Sequence, residues 1–156
     1  MSITIRQATG GGDIGIIRRL FMDYAQSLPI DLAFQRFEQE LASLPGKYAQ
    51  PLGALLLAFD EEDNLLGCAG VRPMDSGACE MKRLYVVPAG RGTGAGRQLA
   101  QAAINTARLI GYNEMRLDTL PSMVAAQGLY ASLGFVQIKS YYATPVEDTV
   151  FMKLLL

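Results

Sequence analysis

The stretch Leu84-Tyr85-Val86-Val87-Pro88-Ala89-Gly90-Arg91-Gly92-Thr93-Gly94-Ala95-Gly96-Arg97 decides the reading of this chain. An apolar, β-branched run predicts a strand, and four glycines at alternate positions predict a turn with little side-chain bulk. Beyond them Leu99, Ala103, Ala107 and Ile110 trace one helical face, which Gly111 ends. A strand feeding a glycine turn and a helix leaves the first helical N–H groups unpaired, with partial positive charge facing the turn. That combination favours phosphate oxygens, and Arg91 and Arg97 are placed to add charge-assisted bonds to them. A plain strand-to-helix connection is the bland alternative.

The elements on either side set the fold class. Before the strand, Ile3 and Ile5 alternate with polar residues, and Asp13 is the expected N-cap of a helix after Gly10-Gly11-Gly12. Ile17, Leu20, Phe21, Tyr24 and Leu28 keep helical spacing up to Pro29, and Phe34, Phe37, Leu41 and Leu44 predict a second helix ending at Pro45-Gly46. Residues 53–59 and 65–71 read as a hairpin across a polar turn, and 79–87 as the next strand. After Gly111, residues 115–119 alternate as a strand, and Ser122 is the expected cap of a helix carrying Ala125, Ala126, Leu129 and Leu133. Residues 135–142 and 149–155 read as closing strands. The expectation is one domain, 1–156, of α/β class with a mixed sheet in the order β-α-α-β-β-β-α-β-α-β-β.

Composition narrows the chemistry. The 156 residues hold 14 Lys plus Arg against 15 Asp plus Glu, too even for the clustered basic excess that nucleic acid demands. With no histidine, a Ser-His-Asp triad, an HExxH zinc site and a histidine base are all excluded. Cys68 and Cys79 alone make no structural zinc site, so no metal is expected, and two buried thiols fit a reducing compartment. Without a signal-peptide pattern or an apolar run of about 18 residues, a cytoplasmic protein with no membrane partner is expected. A homodimer is an assembly left open.

Two phosphate-binding patterns compete for the loop. Gly90-Arg91-Gly92-Thr93-Gly94-Ala95 fits the dinucleotide fingerprint G-x-G-x-x-A, with Asp118 near the end of the next strand for a ribose. Yet no further strand–helix repeats follow, and Pro88 interrupts the direct turn. Arg91-Gly92-Thr93-Gly94-Ala95-Gly96 also matches Q/R-x-x-G-x-G/A, and Leu129-Tyr130-Ala131-Ser132-Leu133-Gly134-Phe135 matches L-Y-x-x-x-G-F. On both motifs, and on the element order between them, the chain resembles the GNAT N-acetyltransferase superfamily over nearly its whole length. That fold has a splayed mixed sheet flanked by helices.

The resemblance implies acetyl-CoA as cofactor, its pyrophosphate held by the N–H groups of Arg91, Gly92, Thr93, Gly94, Ala95 and Gly96. It implies a pantetheine arm paired with the backbone of Leu84, Tyr85 and Val86 where two strands part, a mode that satisfies open N–H and C=O groups. Tyr130 matches the family's general acid, and a phenol near pKa ~10 can protonate a thiolate whose conjugate acid lies near ~8.5. Glu80 matches a catalytic glutamate of some members, with a solvated strand glutamate as the alternative. One position departs: Met123 stands where the family often has asparagine. The acceptor site implied by the family makes Tyr24, Phe37, Tyr141 and Tyr142 candidate walls and Arg72 a candidate for a substrate carboxylate. The expected partner is a small-molecule amine or amino-acid derivative. A non-catalytic acyl-CoA-binding module of the same fold and a nicotinamide-dinucleotide protein are the alternatives.

Overall fold

A computed structural model describes residues 2–156. Its elements are β1 (Thr4–Gln7), α1 (Gly10–Ser27), α2 (Phe37–Ser43), β2 (Ala54–Phe59), β3 (Leu65–Pro73), β4 (Ala78–Val86), α3 (Ala95–Ile110), β5 (Glu114–Thr119), α4 (Val124–Ser132), β6 (Val136–Ile138) and β7 (Val150–Leu155). The order is the expected one. Short 3-10 turns at Leu32–Gln35, Gly46–Tyr48 and Pro88–Gly90 join them.

One seven-stranded sheet runs β1-β2-β3-β4-β5-β7-β6. Every pairing is antiparallel except β4 with β5. This is no doubly wound parallel sheet, which removes the dinucleotide fold. β2 shows why both faces are covered: Ala54, Leu56 and Ala58 point to one side and Leu55 and Leu57 to the other, all buried. With apolar residues at both phases of a period of two, each face needs a helix. On the first face α3 brings Leu99, Ala100, Ala103, Ile104 and Ala107, whose small alanines allow close approach. On the second face α1 brings Ile17, Leu20 and Phe21. Gly111, at φ 108°, stops α3 with its N–H on the Ala107 and Arg108 carbonyls.

Two features of β4 shape the site. Against β3, Gly70 pairs with Lys82 but Cys68 pairs with Tyr85, so β4 carries one extra residue and bulges there. Arg83, within the bulge, takes a left-handed φ of 60°. Against β5, pairing covers only Ala78–Glu80 opposite Glu114–Arg116. Past those positions the two parallel strands part, and their C-terminal ends face each other across a gap.

Four local expectations differ. α1 begins at Gly10 with Thr9 as N-cap, so the three glycines lie within the helix rather than before it. Asp13 instead reaches back to accept the Thr9 N–H at 2.8 Å while pairing with Arg6. The second stripe is split by Arg36 in the left-handed region, giving a 3-10 turn and a short α2. Met123, not Ser122, occupies the N-cap of α4, with no side-chain cap. Finally, β6 ends at Ile138, so Tyr141 and Tyr142 sit in a loop rather than a strand.

Candidate active site

The glycine loop presents donors with nothing to bind. The N–H groups of Arg91, Thr93 and Ala95 are spent inside the loop, on the Pro88 carbonyl, the Gly90 carbonyl and the Thr93 hydroxyl respectively. Those of Gly92, Gly94, Gly96 and Arg97 make no hydrogen bond among the described residues. Gly92 and Gly94 hold φ of +79° and +89°, and a Cβ at either would meet no atom within 4 Å. Glycine is therefore required there by backbone conformation and by an approach kept open. The six N–H groups expected as a set thus divide, three free and three engaged, with Arg97 as a fourth free donor. The Arg97 side chain crosses to the Ser132 hydroxyl at 2.6 Å, tying the start of α3 to α4.

The gap between β4 and β5 opens into a cleft. Leu84 lines one wall, Asp118 and Thr119 the other, and Met123, Ala126 and Tyr130 of α4 lie across it, with Tyr24 of α1 opposite. Leu84, Tyr85 and Val86 have no strand partner on the β5 side, while Tyr85 and Val86 pair with β3 on the other. Their side chains pack into the two cores, which leaves the backbone as what they offer a ligand.

Tyr130 is 7% exposed, its ring 5.8 Å from that of Phe135. Its hydroxyl has no hydrogen-bond partner, yet the only fully buried side-chain polar atom without one among the described residues is the Tyr48 hydroxyl. The Tyr130 hydroxyl is therefore open to the cleft. Burial pushes its pKa up, so it enters any reaction protonated. Met123 contributes a thioether sulfur, which accepts from the Thr119 hydroxyl at 3.5 Å and has no proton to donate in place of an asparagine amide.

Glu80 is not a solvated strand residue. It is 3% exposed, with Oε1 taking the Arg72 guanidinium (Nε 2.9 Å, Nη2 2.8 Å) and Oε2 the Tyr141 hydroxyl at 2.6 Å. Two positions along β4, Lys82 sends Nζ to Asp118 Oδ1 at 3.2 Å and to Gln35 Oε1 at 3.3 Å. Tyr142 donates to the other Asp118 oxygen. Arg83 is clamped by Glu40 through Nε and Nη2 at 3.0 and 3.2 Å, and by Gln35 at 2.8 Å. Three cations thus face three carboxylates, the arrangement that buried charge requires. Burial lowers the Lys82 pKa despite the pull of Asp118. Burial alone would raise the Asp118 carboxyl, but Lys82 and the Tyr142 hydroxyl bring it below the usual carboxylate range.

A second, more open cleft lies beside the first. Glu80, Arg72, Lys47 and Tyr141 line it, and Phe34, Gln35, Lys82 and Tyr142 form the wall common to both. The expected acceptor residues separate accordingly. Tyr142 and Tyr141 reach this region together, because the loop carries both rings onto Phe151 at 5.2 and 5.0 Å instead of to opposite faces of a strand. Tyr24 lines only the first cleft. Phe37 lines neither: it is buried in the core with the Arg83 guanidinium 5.2 Å from its ring centroid. Arg72 lines the second cleft but is bound to Glu80.

Lys82, Gln35 and Glu40 were missed as site residues, and Asp118 was read only as a ribose ligand. For Lys82 a signal existed, since a period of two places it on the Glu80 face. Asp118 is occupied by Lys82 and Tyr142, which removes the ribose role. Among the described residues no cluster of three or more His, Cys, Asp or Glu is placed to hold a metal, and no helix is long and apolar enough to cross a membrane.

The profile of the Acetyltransferase (GNAT) family matches residues 17–135, which takes in the glycine loop and most of the residues that line the two clefts, Tyr141 and Tyr142 lying beyond it. The chain belongs to the GNAT acetyltransferase family. An uncharacterised N-acetyltransferase of Schizosaccharomyces pombe is 41% identical to this GNAT chain over 143 residues, covering 91% of it and 88% of the relative. Among solved structures, a GNAT-family acetyltransferase of Staphylococcus aureus superposes with a TM-score of 0.78 at 21% identity, covering 97% of this chain and 98% of the other. A Salmonella typhimurium protein solved with its cofactor acetyl-CoA superposes with a TM-score of 0.74 at 24% identity, covering 99% and 94%. This GNAT chain is accordingly an N-acetyltransferase with acetyl-CoA as co-substrate. The residues present suit that molecule: free N–H donors beside open space for a pyrophosphate, and an unpaired strand edge for an extended arm.

Proposed function

We propose that this protein moves an acetyl group from acetyl-CoA to the amine of a small molecule or amino-acid derivative by direct attack in a ternary complex. One observation carries the reading: an unpaired strand edge, through Leu84, and a tyrosine hydroxyl without a partner share one cleft, the same strand runs on into a loop with four unpaired N–H groups, and a second polar cleft lies next to the first.

Acetyl-CoA supplies an activated thioester. Gly92, Gly94, Gly96 and Arg97 hold its pyrophosphate through backbone N–H groups, and Arg91 adds charge from the loop. Leu84, Tyr85 and Val86 orient the extended arm through backbone bonds, while Leu84 and Met123 exclude water beside it. Tyr130 gives its proton to the departing sulfur. Glu80 receives the proton released by the amine. Its Oε2 already accepts the Tyr141 hydroxyl, so that hydroxyl passes one proton to Glu80 as it takes another from the amine side. The Lys82–Asp118 pair holds Tyr142 and the common wall in place.

Thermal unfolding with acetyl-CoA, CoA and NAD in parallel tests the cofactor. Ligand at 100 times its dissociation constant adds about 2.7 kcal/mol, which raises the midpoint of a chain this size by roughly 5–10 °C. A shift with both CoA species, followed by amine-dependent thiol release, supports the proposal. A shift with NAD alone, or thiol release that no amine accelerates, overturns it.

A further inference from the structure

The hydrogen-bonding capacity left over in the second cleft is lopsided. Its buried carboxylate is already capped, since Glu80 takes Arg72 on one oxygen and Tyr141 on the other. Asp118, behind the common wall, is capped in the same way by Lys82 and Tyr142. An acceptor with several ammonium groups would find only Asp75 unpaired there. Donors are in surplus. A guanidinium has five N–H groups. Both Arg72 nitrogens nearest Glu80 bear on the single oxygen Oε1, and Nη1 stands 3.6 Å from Glu40, too far for a hydrogen bond. At least three N–H groups are left on a side chain still 24% exposed. Lys47, exposed on its 3-10 turn, adds three more and makes no ion pair among the described residues.

We infer that the acceptor is a free amino acid, its carboxylate received by Arg72 and Lys47 and its amine turned toward the wall that the two clefts share. This rests on the acetyl-transfer reading above and narrows it. A carboxylate is the group that answers unpaired guanidinium and ammonium donors together. Phe34, Met74 and the ring of Tyr141 give the remaining wall an apolar character, which suits an apolar side chain. A polyamine and the N-terminus of a protein both lack the carboxylate.

The test compares L-phenylalanine, L-methionine and L-alanine, the amide of each, and spermidine, by thiol release at saturating acetyl-CoA, with rates expressed per neutral amine. The free acids are expected to exceed their amides by about 10- to 100-fold in kcat/KM, the scale of hydrogen bonds to a charged group. The Lys47→Gln variant, at an exposed position, is expected to lower kcat/KM for the acids by about threefold more than for the amides, and so to narrow the acid-to-amide ratio by that factor. Amides or spermidine turned over as well as the acids would overturn the inference while acetyl transfer stood. No turnover of any amine, by protein that still binds acetyl-CoA, would remove both.

Discussion

Replacing Tyr130 by phenylalanine separates chemistry from folding unusually well in this molecule. The ring is 7% exposed and packs on Phe135, and phenylalanine keeps that contact. The hydroxyl bonds to no group of the protein and is open to the cleft, so its removal strands no partner. Stability should therefore change by no more than about 0.5 kcal/mol, within roughly 2 °C of midpoint. If the hydroxyl protonates the departing thiolate, kcat should fall by about 100- to 10,000-fold, or roughly 2.7–5.5 kcal/mol of barrier. Acetyl-CoA binding, built on loop and strand backbone, should stay within about threefold. The assay is thiol release at saturating amine, alongside calorimetric titration with CoA and thermal unfolding. A second donor sharpens it: an acetyl thioester of an aromatic thiol, whose thiolate leaves without a proton, should recover most of the lost rate. A kcat within twofold of the parent, or a loss that the aromatic thioester does not relieve, would refute the general-acid role.

Other perturbations follow from single contacts. Tyr48→Phe removes a fully buried hydroxyl that has no partner, so thermal unfolding should show unchanged or higher stability, by up to about 1 kcal/mol. Gly70→Ala would place a Cβ 2.6 Å from Cε1 of the buried Tyr48 ring, and a loss of about 1–3 kcal/mol in denaturant unfolding is expected. Burial pushes the Cys68 thiol up and the Cys79 thiol up to about 12, so native protein at pH 8 should resist a thiol-specific chromophore that reacts with both cysteines after denaturation. Asp13, held down to about 2 by the Arg6 guanidinium and the Thr9 N–H, should titrate near that value in carboxyl NMR. Because its folded pKa lies below the ordinary value of 3.8, its stabilising contribution is present above that value and is lost as pH falls toward 2, a loss that Asp13→Asn should abolish.

The element order was fully legible because each strand and helix carries its own periodicity and its own stop signal. What failed locally was punctuation. Gly10-Gly11-Gly12 looks like a break but forms a first helical turn, since Asp13 reaches back to the Thr9 N–H and Arg6 secures it. Tyr141-Tyr142 looks like strand, but both hydroxyls are drawn to carboxylates on β4 and β5, which pulls the chain off the sheet edge. At the site, the glycine loop was readable from its own spacing, and Tyr130 through the resemblance of Leu129-Tyr130-Ala131-Ser132-Leu133-Gly134-Phe135 to the GNAT pattern. The partners of Glu80 were not, because they come from β3 and from a loop 61 residues away, and no local pattern encodes such contacts. Gln35 and Glu40 are invisible for the same reason: only the folded chain brings them under Lys82 and Arg83.

The parting of β4 from β5 has a bearing on solubility. Open strand edges usually lie at the rim of a sheet, where a second molecule can add itself and begin aggregation. Here two of them lie in the middle of the sheet, recessed between α1 and α4 with Tyr24 on one side and Tyr130 on the other. A slender flexible chain can enter that slot, but the broad face of a neighbouring protein cannot. The fold thereby keeps these two open edges at its centre, away from the β1 and β6 rims where other copies of the chain could meet it.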